Sequence, residues 1–202
     1  MILIDEIQNY LPEQIAILQS CIAPETGAMT YVGDLAQQTS LFTLRDWDTV
    51  GEQWEKGRAV KLEKVYRSTR QILEYIRSVG YEVEVPSGAR EGKPVQKLQR
   101  PSEIKKIVRD NPDIQIGILG ISPEDIEPYR NFASKHARVM TIHHAQGVEF
   151  DIAIFVEGAV DTSDYPEALR LEKNKIIRDQ TYVGLTRAMN ELYILPTARE
   201  AE

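Results

Sequence analysis

Short apolar runs recur along this chain, and most are followed by a stretch with helical spacing. Ile2–Ile4, Met29–Val32, Val60–Leu62, Val95–Leu98, Ile114–Leu119, Arg138–Ile142, Ile152–Val156 and Leu192–Leu195 read as strands. Helical spacing fills Pro12–Ser20, a segment capped by Ser68 or Thr69 and running through Val79, and Ser102–Asp110. It is expected again from the cap at Ser122 to about His136, and over roughly 176–189. Leu41 to about Gln53 fits either helix or loop, and Ser87–Pro94 is loop by composition. Strands that alternate with helices at these distances imply a parallel sheet with helices on both faces, an α/β fold.

Composition narrows the setting. With 42% hydrophobic and 27% charged residues, the 202-residue chain is ordinary for a globular protein and can bury one sizeable core or two small ones. No run approaches the ~18 apolar residues of a membrane span, and the amino-terminal residues do not resemble a signal peptide, so the expected setting is cytoplasmic. Cys21 is the single cysteine, which removes internal disulfides and cysteine-based zinc sites. His136, His143 and His144 are the only histidines, too few for a histidine-rich metal site.

Charge is unevenly placed. Residues 1–55 hold one basic and nine acidic residues; residues 56–109 hold fourteen basic and six acidic; residues 110–202 hold nine basic and sixteen acidic. A basic middle between acidic flanks can follow a phosphate backbone, or can be a solvated helix face plus a loop. The change of sign puts the expected domain boundary near 55–60, with 1–55 and 56–202 as two parts.

Five short segments carry groups suited to chemistry. Ile2-Leu-Ile-Asp5-Glu6 is an apolar strand delivering two carboxylates, one able to face Mg²⁺ and the other a water, although two acids can also cap the next helix. Gly33-Asp-Leu-Ala-Gln37 follows the second strand, where the glycine permits a sharp turn and Gln37 can bond a phosphate oxygen. Phe42, a few residues on, is either core or a stacking platform for a base. Tyr66-Arg67 precedes a helix, the arginine able to fork onto phosphate and the tyrosine to stack on a purine, or the pair to form a salt bridge and a packed ring. Thr141-Ile-His143-His-Ala-Gln146-Gly147-Val-Glu149 joins two strands by a polar loop that can reach a phosphate or a ribose hydroxyl. Tyr182-Val-Gly-Leu-Thr-Arg187-Ala places an arginine inside a helix, where it is either a surface residue or a group that neutralises charge on a transferring phosphoryl group.

Taken in order, ILIDEIQNYLP, YVGDLAQQ, LEKVYRST, MTIHHAQGVEFD and TYVGLTRAMNELYI resemble the later motifs of the UvrD/Rep-like superfamily 1 helicases. The resemblance implies RecA-like lobes that bind ATP and Mg²⁺ between them and pass single-stranded DNA, or a duplex with a single-stranded tail, across their top. It implies Asp5 as the Mg²⁺ ligand, Glu6 as general base and Gln37 as γ-phosphate sensor. Tyr66 would stack on adenine, Arg67 and Arg187 would act on the γ-phosphate, and Gly147 and Glu149 would line the ribose side. Phe42, Thr141 and His143 would lie on the DNA side, with stepping typically 3′ to 5′ and roles such as DNA repair.

Departures from the pattern are specific. Asn9 stands for the usual aspartate, Gln146 for the usual lysine, and Ser40 where an aromatic often sits. Only about 70 residues separate Arg67 from Thr141, a compact spacing similar to HelD-like proteins that engage RNA polymerase. No Gly-x-x-x-x-Gly-Lys-Ser/Thr phosphate loop is present; the nearest string, Gly92-Lys93-Pro94, has the wrong flanks. The chain is therefore expected to be the C-terminal part of a longer protein, with the tail of a first RecA-like lobe at 1–55 and a second lobe over 56–202, inactive alone and needing that remainder to bind ATP and Mg²⁺ fully.

Overall fold

A computed structural model describes residues 1–23, 27–51, 60, 67–158 and 162–196. The chain divides into two compact units, Met1–Leu62 with Pro166–Asp179, and Glu63–Tyr165 with Gln180–Glu202. The strand expected at Val60–Leu62, the charge boundary near 55–60 and Tyr66 fall largely or wholly outside the described residues. Among the described residues no helix is long and apolar enough to cross a membrane.

In the first unit, strands β1 (Ile2–Ile4) and β2 (Met29–Tyr31) pair in parallel, Ile2 opposite Met29 and Ile4 opposite Tyr31. Helix α1 (Pro12–Ser20) begins with Pro12 in its first turn, where a missing N–H costs nothing, and Gln14 accepts from the Leu11 N–H. Ile4, Ile7, Ile15, Leu44 and Val50 form the small buried core. Residues 41–53, ambiguous in sequence, contain a 3-10 turn at Trp47–Val50, capped by Asp46 accepting from the Thr49 N–H.

The second unit holds a five-stranded, all-parallel sheet in the order β3-β7-β6-β4-β5. Its strands are β3 (Gln96–Lys97), β4 (Ile116–Gly120), β5 (Ala137–Thr141), β6 (Phe150–Val156) and β7 (Ala188–Leu195). Alternation along the strands sorts side chains to two cores. Ile152, Ile154 and Val156 of β6 join Ile116 and Ile118 on one face, under helix α3 (Ser102–Asp110) and the turn at Glu127–Phe132. Ala153 and Phe155 join Leu192 and Ile194 on the other, under helix α2 (Arg70–Ser78) and the end of helix α5 (Glu167–Thr186). The sheet is covered on both sides, as a parallel sheet requires.

Three boundaries differ from the sequence reading. Helix α4 starts at the Ser122 cap as expected but spans only Pro123–Ile126 before turning 3-10 through Phe132. Pro128 explains this, since proline lacks the N–H an α-helix needs there. Helix α5 begins at Glu167 rather than about 176, and it ends at Thr186, so β7 starts at Ala188 instead of Leu192.

Candidate nucleotide and nucleic-acid site

In the first unit the two leading carboxylates stand at the carboxyl end of β1. Asp5 is exposed and its Oδ1 accepts from the Glu6 N–H at 2.9 Å. Glu6 has a left-handed backbone, φ 51°, uncommon for a non-glycine residue and a mark of local constraint. What holds it is Gln8, fully buried, whose Nε2 donates to Glu6 Oε2. The same amide accepts at Oε1 from the Asp34 N–H at 3.1 Å. Asp34 in turn caps the 3-10 turn Leu35–Gln37, taking the Ala36 N–H at Oδ1 and Gln37 Nε2 at Oδ2, both at 2.9 Å.

A continuous hydrogen-bonded chain thus runs Glu6–Gln8–Asp34–Gln37. Gly33 makes the approach possible, because a Cβ there would lie 2.4 Å from Gln8 Oε1 and 3.0 Å from the Ile7 backbone nitrogen. Sequence reasoning singled out Glu6 and Gln37 but not Gln8, an uncharged side chain that neither periodicity nor charge marks out. Asn9, at the position of the expected aspartate, accepts at Oδ1 from Thr39 Oγ1 at 3.3 Å and so ties the same loop down.

Beyond Gln37 the chain turns sharply. Phe42 also has a left-handed backbone, φ 64°, and is 60% exposed, so it is not core. It borders a cavity of about 320 Å³ lined by Gln38, Ser40, Arg45, Leu171, Glu172 and Lys175, among others. Buried Gln38 donates to Thr43 Oγ1 and the Leu44 carbonyl and accepts from Lys175 Nζ at 2.6 Å. Glu172 pairs with Arg45, and Lys175 with Asp179 at 2.7 Å. Burial raises the Asp179 carboxyl above its ordinary value, although Lys175 opposes the shift.

The second unit gathers its candidates at the amino ends of β6 and β7. Arg67 makes an ion pair with Glu149, the residue just before β6. Ser68 Oγ donates to the Ala188 carbonyl at 2.8 Å, and the Phe150 N–H to the Arg187 carbonyl at 2.9 Å. Arg90 donates to the Met189 carbonyl at 2.8 Å and the Arg67 carbonyl at 3.3 Å. The segments around residues 67, 149 and 187, far apart in sequence, are therefore knitted together by one ion pair and by hydrogen bonds to main-chain carbonyls. Arg67 is largely exposed, its side chain 69% accessible, whereas Arg187 is 8% exposed. The Arg187 guanidinium bonds the Val183 carbonyl at 3.0 Å and Thr186 Oγ1 at 3.2 Å, a cation set against the negative end of α5.

Thr141 and His143 lie at the opposite end of the sheet. β5 ends at Thr141, β6 starts at Phe150, and β4 runs between them in parallel. Residues 142–149 must therefore travel from the carboxyl end of one strand to the amino end of another, past a strand roughly 17 Å long. Ile142 and Ala145 anchor this crossover in the core, and Gly147, φ 70°, turns it toward Glu149. Thr141 Oγ1 bonds His144 Nδ1 at 2.8 Å, while His143 is exposed. The polar loop read from sequence is thus one connection that joins opposite ends of the sheet.

Among the described residues, no group of three or more His, Cys, Asp or Glu side chains could hold a metal. Asp5 fits Mg²⁺, which takes one or two carboxylates and draws its other ligands from phosphate and water. Arg67 and Glu149 are the donor and acceptor types that suit phosphate and ribose.

Residues 118–199 match the UvrD-like helicase C-terminal domain family. Among solved structures, the PRRSV helicase is similar over 98% of this chain and 35% of its own, at 16% identity and TM-score 0.54. An Arterivirus nonstructural protein 10 helicase, solved in complex with DNA, is similar over 96% of this chain and 38% of its own, at 18% identity and TM-score 0.54. The chain thus spans little more than a third of each, and at these identities the likeness speaks for the fold alone, a parallel α/β sheet. No curated protein matches the chain.

Proposed function

We propose that the chain supplies motor parts of an ATP-driven nucleic-acid helicase or translocase acting on single-stranded DNA, with 3′ to 5′ stepping. The observation that carries this reading is the bonding of the segments at 67–68, 149–150 and 187–189 at one end of the second unit's sheet. A crossover from Thr141 to Glu149 reaches the other end, where Thr141 and His143 are assigned to the DNA backbone. The helicase family match supports the same class of activity.

In this mechanism ATP with Mg²⁺ supplies the free energy of stepping when bound. Glu6 takes a proton from the attacking water at a carboxylate oxygen, and Gln8 fixes which oxygen is presented by donating to Oε2. Gln37, held by Asp34, reads the terminal phosphate, and Asp5 holds the cation. Arg67 exchanges Glu149 for phosphate, releasing the Glu149 carboxylate to a ribose hydroxyl. Arg187 stabilises charge that develops on the transferring phosphoryl group. Tyr66 stacks on adenine and Gly147 keeps the ribose approach open; Phe42 takes a DNA base.

We assign residues 1–55 to the end of a first RecA-like lobe and 56–202 to a second, with cytoplasmic action in pathways such as DNA repair. On this reading the chain alone lacks the phosphate-cradling loop and turns over no ATP at a useful rate. A phosphate-release assay with single-stranded DNA is expected to give turnover for the longer protein and background for the 202-residue chain. Equal turnover by the two would refute the assignment. The compact spacing between Arg67 and Thr141 favours one alternative, a remodeller bound to RNA polymerase. Binding to polymerase without strand separation would select it.

A further inference from the structure

We infer that the outer face of α3, with the sheet edge beside it, is a docking surface for the phosphate backbone of duplex DNA, separate from the single-strand site. Residues 97–110 hold five basic side chains, Lys97, Arg100, Lys105, Lys106 and Arg109, against two acids, Glu103 and Asp110. All five basic residues are exposed. Glu103 is occupied, its Oε1 accepting the Gln99 N–H at 2.9 Å and the Arg100 N–H at 2.8 Å at the start of the helix. Arg109 has an adjacent partner in Asp110 at 2.9 Å. In a chain of net charge −7, this surface is a local field of the opposite sign.

The location separates it from the site above. Ile104, Ile107 and Val108 turn one side of α3 into the core shared with Ile116, Ile118 and Ile152. Helix α2, the crossover and the end of α5 pack on the other face of the sheet. A strand lying on Thr141 and His143 is thus on a different side of the unit from Lys105 and Lys106.

The chemistry of the face selects the partner. Its outward positions on α3 are Ser102, Lys105, Lys106, Arg109 and Asp110, with no aromatic or aliphatic anchor. Protein interfaces draw their energy from buried apolar and aromatic anchors, which this face lacks. Single strands are held on stacking platforms, which it also lacks. What remains is recognition by charge alone. Duplex DNA, with stacked bases and one charge per about 1.7 Å of axis, fits that description.

The test uses the 202-residue chain itself and needs no nucleotide, so it stands apart from the motor reading. Anisotropy would follow a blunt duplex and a single strand of equal length across a salt series, for wild type, Lys105→Gln/Lys106→Gln and Arg109→Gln. For the double variant, duplex affinity is expected to fall roughly tenfold and the salt slope to drop by about one to two, with single-strand affinity unchanged. The single variant should show the same pattern, more weakly. Absent duplex binding by wild type, unchanged duplex binding by the variants, or equal loss of both ligands would overturn the proposal. So would polyglutamate binding more tightly than duplex with the same dependence on Lys105 and Lys106, which would mark a surface for an acidic protein.

Discussion

Gln8 shows how much one uncharged side chain can organise. Its amide spans Glu6 and the Asp34 N–H, and burial leaves it no water to substitute for either bond. Tyr193 is a second such residue, on the other unit's sheet. Its hydroxyl donates to Glu191 Oε2 at 2.7 Å, while Glu191 Oε1 holds Lys93 at 2.6 Å. Burial first, and then the Glu191 hydrogen bond and charge, push the phenol from its ordinary 10.0 up to about 12. Because the folded value is raised, the unfolded chain gives up this proton first. The stability contributed by the neutral phenol is complete below about 10 and is lost as pH rises toward about 12. Tyr193→Phe should therefore flatten this part of the alkaline decline in denaturant-measured stability; a decline of unchanged steepness would contradict the assignment.

At the scale of elements, the end of α5 and the crossover depend on one missing side chain. A Cβ at Gly184 would lie 2.7 Å from Ile142 Cδ1 and 2.8 Å from Phe155 Cδ2. Alanine is the better helix former, but the ring and the crossover leave it no room. Gly184→Ala should cost roughly 1–2 kcal/mol net in urea melts of the chain; a neutral or stabilising result would show that the crossover yields. Periodicity made most elements legible: β1, α1, α3 and β6 lie near where apolar spacing puts them. It failed where a local rule was outweighed. Pro128 cut short the helix expected to reach His136, and β3, flanked by Pro94 and Pro101, shrank to two residues. A salt bridge at Arg67 was legible, but its partner Glu149 and the chain from Glu6 to Gln37 were not. Such links follow from register between strands, which hydrophobic spacing does not encode.

At the scale of the molecule, each unit carries one part of the proposed chemistry. The first holds the carboxylates and the glutamine that would act on water and phosphate, prearranged through Gln8 and Asp34. The second holds the arginines, one exposed and paired with Glu149, the other set into the end of its helix. The central claim is that both sets serve a single hydrolytic cycle. The most direct test is single-strand-stimulated ATP turnover by the longer protein bearing Glu6→Gln or Arg187→Ala, alongside nucleotide binding by the same variants. The account predicts turnover reduced by at least about a hundredfold in each, with binding largely retained. Wild-type turnover in either variant would contradict it.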